Sequence, residues 1–210
     1  MDRIRSLIAD PSNPRSLSAR ARARRWQLLM REFPDLDQME VLDLGGIEAG
    51  WCSSPVRPRR LMLVNLFEQQ TEWADAVVGD ACSPPDLGRF DLVFSNSVID
   101  QVGGHWRRTR FAEVVRGAAD HHWIQTSYRY FPLDPYWLFP LFSSLPVRAR
   151  VEVTRRWRLG HRRATDPTEA LDQVLGVELL TKSEMSGYFP DSRLITETLA
   201  GLPKSIVAVR

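Results

Sequence analysis

The chain has 210 residues, 43% hydrophobic and 26% charged, with a formal net charge of +2. That size and balance suit one packed domain and exclude a disordered, collagen-like or strongly charged polypeptide. No apolar run approaches the roughly 20 residues of a membrane helix, and the N-terminal stretch lacks the hydrophobic centre of a secretory signal, so a cytoplasmic protein without a membrane span is expected.

Residues 1–31 hold eight arginines against two aspartates, and residues 148–163 hold seven arginines against Glu152 alone. Both stretches favour anionic surroundings. No aromatic-rich RNA motif, zinc finger or helix-turn-helix pattern accompanies them, so nucleic acid is disfavoured as a partner. Cys52 and Cys82, the two cysteines, make neither a disulfide framework nor a metal site by themselves and read as small, half-buried thiols.

In chain order, Trp26, Leu29, Met30 and Phe33 fall at i, i+3, i+4 and i+7, a helical stripe with arginines on the opposite face. This helix is expected to cap the main body as an N-terminal unit, 1–37. From residue 38 short apolar runs follow one another at 39–44, 60–66, 76–79, 90–95 and 122–126, separated by turn signals, the rhythm of a parallel sheet with crossovers. Phe111, Val114, Val115 and Ala118 repeat the helical spacing and predict a crossover helix over 105–119. Pro55 and Pro58 leave room for only a short, irregular connection after the first strand. Asp134-Pro135 and Asp166-Pro167 each read as an N-cap followed by proline at the first helical position, and Thr181 with Glu184 forms a capping-box signature. Two alternating stretches flanking Gly201-Leu202-Pro203 predict a terminal antiparallel hairpin.

The sharpest chemical motif is Val41-Leu42-Asp43-Leu44-Gly45-Gly46, an apolar strand ending in an acid and two glycines. In an open α/β sheet ligands bind at the carboxyl ends of strands, where glycine lets them touch the backbone. Asn65 and Leu66 end the second run, Asp80 and Ala81 follow the third, and Ser95, Asn96 and Ser97 end the fourth. Four successive ends of this kind resemble the class I S-adenosylmethionine-dependent methyltransferases. The segment from Phe94 to Gly104, reading FSNSVIDQVGG, is similar to a bacterial group of small type-11-like members that typically read NSVIEHVG there. Trp123-Ile124-Gln125-Thr126, Tyr130-Phe131-Pro132-Leu133, Tyr188-Phe189-Pro190-Asp191 and Gly201-Leu202-Pro203-Lys204-Ser205 extend that resemblance.

The resemblance implies a Rossmann-like α/β fold, a mostly parallel sheet with an antiparallel C-terminal hairpin and helices on both faces. Residues 38–210 would be the transferase domain and 128–176 its substrate cover. It implies S-adenosyl-L-methionine as cofactor, converted to S-adenosyl-L-homocysteine, and Asp43, Gly45, Gly46, Asn65, Leu66, Asp80, Ala81, Ser95 and Asn96 as the residues holding it. A dehydrogenase fits less well, because the first turn reads Gly45-Gly46-Ile47-Glu48-Ala49-Gly50 rather than GxGxxG and no clear helix follows to receive a pyrophosphate.

The expected reaction is methyl transfer to a small-molecule acceptor, most simply at oxygen in a sugar or a secondary-metabolism scaffold; the alternative is a cofactor-binding relative without transfer. Where the group carries histidine this chain has Gln101, and where it reads Glu-Pro-His this chain has Asp134-Pro135-Tyr136, so both usual proton acceptors are replaced. A hydroxyl must lose its proton as it attacks, whereas an amine or thiolate needs less help, which leaves the acceptor class open. Asp100 is the first candidate base, followed by Tyr136, Asp134 and His105. No metal site is expected. The aromatic tract from Tyr128 to Phe142 is read as half core, half wall of a pocket for an aromatic or glycosidic acceptor, and 148–163 as a mobile rim for an anionic group. A homodimer is left open.

Overall fold

The computed structural model describes residues 17–210, so the first sixteen residues of the expected 1–37 cap lie outside the described residues. The strands are β1 (Glu40–Leu44), β2 (Arg60–Asn65), β3 (Asp75–Val78), β4 (Phe90–Asn96), β5 (Ala119–Ser127), β6 (Arg193–Leu199) and β7 (Leu202–Val209). They form one sheet in the order β3-β2-β1-β4-β5-β7-β6. The first five pair in parallel, while β7 lies antiparallel between β5 and β6. β5 starts at Ala119, three residues ahead of the apolar run at 122–126, and so takes in His121 as well as His122. It does so because His122 pairs with Val93 and its ring bonds Ser192 at 2.7 Å.

Alternate residues of the central strands face two separate cores, as the two-residue period of a strand requires. Leu42, Leu44, Val93, Ile124 and Ile206 face the helices α3 (Gly104–Ala118) and α6 (Lys182–Tyr188) through Phe111, Val115 and Met185. Val41, Leu63, Phe94 and Trp123 face α1 (Leu17–Glu32), which contributes Trp26 and Leu29, with Phe33 just beyond its end. Each such fully buried side chain contributes about 1.5–3 kcal/mol.

The connection from β1 to β2 holds only one helical turn, α2 (Glu48–Trp51), and those flanking β3 hold no helix. The N-terminal helix fills the face that ordinary crossovers would cover. Trp26 stacks on Phe94 with ring centroids 5.7 Å apart, and Trp51 fills the gap beside both. Thus α1 is a layer of the core.

Between β5 and α6 the chain builds a satellite unit from α4 (Val147–Arg156) and α5 (Pro167–Leu175). Trp137, Phe142, Val174, Val177 and Leu179 form its own small core. Most of the expected mobile rim is therefore helix α4, with Arg155 and Arg156 paired to Glu152. Asp166 caps α5 and Thr181 closes a full capping box on α6, as the sequence predicts. Asp134-Pro135 makes a single turn instead of a helix, because Leu138 turns to φ 49° and Pro140 follows.

Candidate functional site

The site grows from the loop after β1. Asp43 points toward the α1 face and is buried; Trp51 Nε1 donates to its Oδ2 at 2.8 Å, while Oδ1 has no partner among the described residues. Burial raises the Asp43 pKa to about 7, with the Trp51 hydrogen bond pulling the other way. Gly45 sits at φ +81°, and a Cβ on Gly46 would lie 1.8 Å from Asp43 Oδ2. Glycine is therefore required here by the close approach of Asp43 as well as by the left-handed backbone.

Asn65, at the end of β2, donates from Nδ2 to the carbonyls of Gly45 at 3.2 Å and Gly46 at 3.0 Å, and its Oδ1 accepts from Leu66 N–H. It shapes the glycine loop with the groups that the resemblance assigns to the cofactor. Gln69 adds a bond to Gly46 O at 3.0 Å. Glu48, unremarked in the sequence, accepts from the backbone N–H groups of Glu72, Trp73 and Ala74. That clamp holds the helix-free β2–β3 connection against α2. Its signal in the sequence was only an acid in the first turn of a very short helix.

Asp80 follows β3. Arg107 of α3 pairs with its Oδ2 at 2.6 Å, and Cys82 N–H donates to its Oδ1 at 2.9 Å. Desolvation is the largest single influence and opposes ionisation, but the Arg107 and Cys82 contacts together outweigh it and lower the Asp80 pKa. Ala81 is buried nearby, while Leu66 is exposed. Ser95 donates to Leu44 O at 2.8 Å inside the sheet, tying β4 to β1. Asn96 Oδ1 is buried without a partner among the described residues.

Two cavities flank the loop at 45–47. One, of about 400 Å³, is lined by Gly45, Asn65, Leu66, Asp80, Ala81, Val98 and Arg107. The other, of about 420 Å³ beneath α1, is lined by Asp43, Gly46, Asn96, Trp51, Arg22 and Arg25. Gly45 and Ile47 belong to both. The second cavity combines two buried, unpartnered acceptors, Asp43 Oδ1 and Asn96 Oδ1, with a cation, Arg22, that makes no ion pair among the described residues.

Asp100 and Tyr136 meet beyond β4. Tyr136 OH donates to Asp100 Oδ2 at 2.7 Å, and Asp100 Oδ1 is buried without a partner among the described residues. Burial raises the Asp100 pKa to about 6; the Tyr136 hydrogen bond and Arg108 restrain the rise. Burial and the adjacent carboxyl push the Tyr136 phenol well above its usual range.

Arg108, which sequence reasoning passed over inside an arginine-rich helix, is itself buried and donates to Ile99 O, Glu178 O and Glu178 Oε2. It thereby locks the loop carrying Asp100. Arg162 stacks over the Tyr136 ring and donates to Gln101 Oε1, so the satellite unit closes over this loop.

The other two candidates have different partners: Asp134 supports the pair from the backbone side, and His105 stands away from it. Asp134 accepts from Tyr136 N–H and Trp137 N–H through Oδ1 and from Ser143 through Oδ2, so it orders the turn bearing Tyr136. His105 is exposed at the start of α3 and its Nδ1 meets Tyr188 OH at 2.8 Å. Among the described residues, no cluster of three or more His, Cys, Asp or Glu gathers with metal-holding geometry, and no helix is long and apolar enough to cross a membrane.

No protein-family model and no curated protein matches the sequence. Solved structures do match. The N-methyltransferase NodS of Bradyrhizobium japonicum with S-adenosyl-L-homocysteine aligns over 99% of this chain and 94% of its own, at TM-score 0.56 and 11% identity. The N-terminal domain of EvdMO1, solved with SAH and D-fucose, aligns over 92% and 84% at TM-score 0.51 and 14% identity. Magnesium protoporphyrin IX methyltransferase ChlM of Synechocystis, with bound SAH, aligns over 91% and 84% at TM-score 0.51 and 8% identity. The chain has the Rossmann-like fold of the class I S-adenosylmethionine-dependent methyltransferases, closing hairpin included.

Proposed function

We propose that this chain is an S-adenosyl-L-methionine-dependent methyltransferase acting on a small-molecule acceptor, with oxygen of a sugar or secondary metabolite as the methylated atom. The observation that carries the reading is the pair of cavities on either side of the 45–47 loop. An extended ligand with a nucleoside at one end and an amino-acid zwitterion at the other matches both. Asp43 and Asn96 supply acceptors for an ammonium, Arg22 a partner for a carboxylate, and the Gly45–Asp80 side an apolar and hydrogen-bonding slot for the nucleoside. A phosphate-bearing dinucleotide has no comparable use for two buried acceptors beside the glycine loop.

The cofactor supplies, when bound, a methyl group on an electron-poor sulfonium. The protein's own part is to hold the acceptor in line and to take its proton. Asp100 is the base in this reading: its Oδ1 has no partner among the described residues, and a carboxyl with a pKa of about 6 is a stronger proton acceptor than an ordinary aspartate while still ionised at neutral pH. Tyr136 fixes the other oxygen, and Asp134 and Arg162 fix Tyr136. The 128–176 unit acts as the cover that excludes water, and α1 as the wall over the amino-acid end.

Calorimetric titration with S-adenosyl-L-homocysteine and with 5′-methylthioadenosine, which lacks the amino-acid end, tests the reading. Binding of both, with Arg22→Gln weakening only the former by about tenfold, is expected. Failure of both to bind overturns it. Cofactor binding without turnover across hydroxyl, amine and thiol acceptors would instead favour a protein that holds the cofactor without transfer.

A further inference from the structure

A separate cavity of about 380 Å³ opens between α1 and the β6–β7 hairpin, and it shares no lining residue with the two described above. Arg24, Arg31 and Lys204 line it, and none of the three has a hydrogen-bond or ion-pair partner for its side chain among the described residues. Its one carboxylate, Glu197, is already committed: Arg25 grips both oxygens at 2.9–3.2 Å, and Ser205 donates to Oε2. Among the described residues the cavity therefore carries excess positive charge, and Leu28 and Leu199 give it an apolar wall.

Lys204 is the central group. It is half-buried on β7, and burial together with the nearby Arg25 lowers its pKa, with Glu197 opposing. An unpaired cation held partly out of water gains most from an anion brought to it, because the desolvation has already been incurred by folding.

We propose that this cavity is a binding site for a small organic anion, a phosphate or carboxylate on a short apolar body, with Lys204 at the anionic head, Arg24 and Arg31 flanking it, and Leu28 and Leu199 against the body. The site is independent of the adenosyl reading. Arg25 links the two, since it lines the cavity beneath α1 and also holds Glu197. An anion at Lys204 thus acts on the same helix that covers Asp43.

The chain's lysine content makes the test specific, for Lys182 and Lys204 are the only lysines. Lys182 is exposed and serves as the internal reference. The full chain is treated with pyridoxal 5′-phosphate or with pyridoxal, each of which condenses with an amine by loss of water. Borohydride then reduces the imine to a stable secondary amine, and labelled peptides are quantified by mass spectrometry.

Pyridoxal phosphate is expected to label Lys204 about tenfold faster than Lys182, with the preference for the phosphorylated reagent over pyridoxal larger at Lys204. Inorganic phosphate or hexanoate should suppress the Lys204 label: stronger suppression by phosphate identifies a phosphate head, stronger suppression by hexanoate a carboxylate head. The Arg24→Gln/Arg31→Gln double variant, with its melting temperature checked, should lose the reagent preference while keeping Lys204 reactive. Equal reagent preference at the two lysines, slower labelling of Lys204 than Lys182, or indifference to both competitors overturns the proposal.

Discussion

Tyr136 donates its hydroxyl to one oxygen of Asp100 at 2.7 Å and leaves the other oxygen of that carboxyl buried and unpartnered among the described residues. A buried acceptor without a donor costs about 1–3 kcal/mol. The loop and the satellite unit bear that cost together, because Arg108 anchors the backbone at Ile99 and Arg162 braces the Tyr136 ring. The arrangement suits an acceptor hydroxyl arriving as the missing donor.

Asp100→Asn keeps the Tyr136 hydrogen bond but removes the proton acceptor. Turnover is expected to fall on the order of 10²-fold with cofactor affinity unchanged within about twofold. Steady-state kinetics alongside homocysteine-cofactor titration checks this; full activity in the variant removes Asp100 from the mechanism.

Tyr136→Phe withdraws the hydrogen bond that holds the Asp100 pKa down, so that pKa rises above its present value of about 6. The acidic limb of the pH–rate profile should therefore move to higher pH, and the activity at high pH should suffer less than the activity near pH 6. An unshifted acidic limb would show that Asp100 does not govern it.

Asp43 sets a pH dependence of stability. Its folded pKa, about 7, lies above the unfolded value near 3.8, so the folded chain binds the proton more tightly. Stability then falls as pH rises from about 4 to 7, and the full cost of the buried carboxylate is present above that range. Glu48, Asp80 and Glu184 have lowered pKa values; their stabilisation is present above the ordinary carboxylate range and lost on acidification below it. In Asp43→Asn the decline between about pH 4.5 and 7.5 should shrink by roughly 2–4 kcal/mol, measured by urea unfolding. An unchanged slope would contradict the raised Asp43 pKa.

Much of the frame was legible from periodicity. The five apolar runs, the crossover helix and the closing hairpin all lie in local sequence, and the order of strand ends carried the cofactor resemblance. The seat of α1 was not legible, because Trp26 meets Phe94 across 68 positions and no local pattern encodes that contact. Asn65 and Asp80 were visible as polar strand ends, but their bonds to Gly46 and Arg107 depend on neighbouring strands and helices. Arg108 was hidden by composition: one buried arginine among many exposed ones has no distinguishing spacing. The helix read from Asp134-Pro135 failed because a cap signature specifies only a first turn, and Leu138 and Pro140 prevent the second.

The hairpin turn offers a test of the fold alone. Ala200 and Gly201 both have positive φ, 51° and 79°, the pattern of a type I′ turn, in which alanine is strained and Asn-Gly is favoured. Ala200→Asn should stabilise the chain by about 1 kcal/mol, equivalent to roughly 2–4 °C in a protein of this size. A thermal melt that is unchanged or lowered would contradict the turn assignment.

Asp80→Ala removes one partner of a half-exposed pair with Arg107. Such pairs contribute about 0–1 kcal/mol to stability, so the melting temperature should move by only a few degrees while cofactor affinity drops by about tenfold. Unaltered affinity by calorimetry would place the nucleoside elsewhere.

A crystal structure of the chain grown with S-adenosyl-L-homocysteine addresses the whole account at once. The adenosine is expected beside Gly45, Asp80 and Ala81, the amino-acid end beneath α1 against Asp43, Asn96 and Arg22, and the sulfur facing the Asp100 loop. Density for the ligand in any other cavity, or clear density showing both cavities empty at saturating ligand, would contradict it.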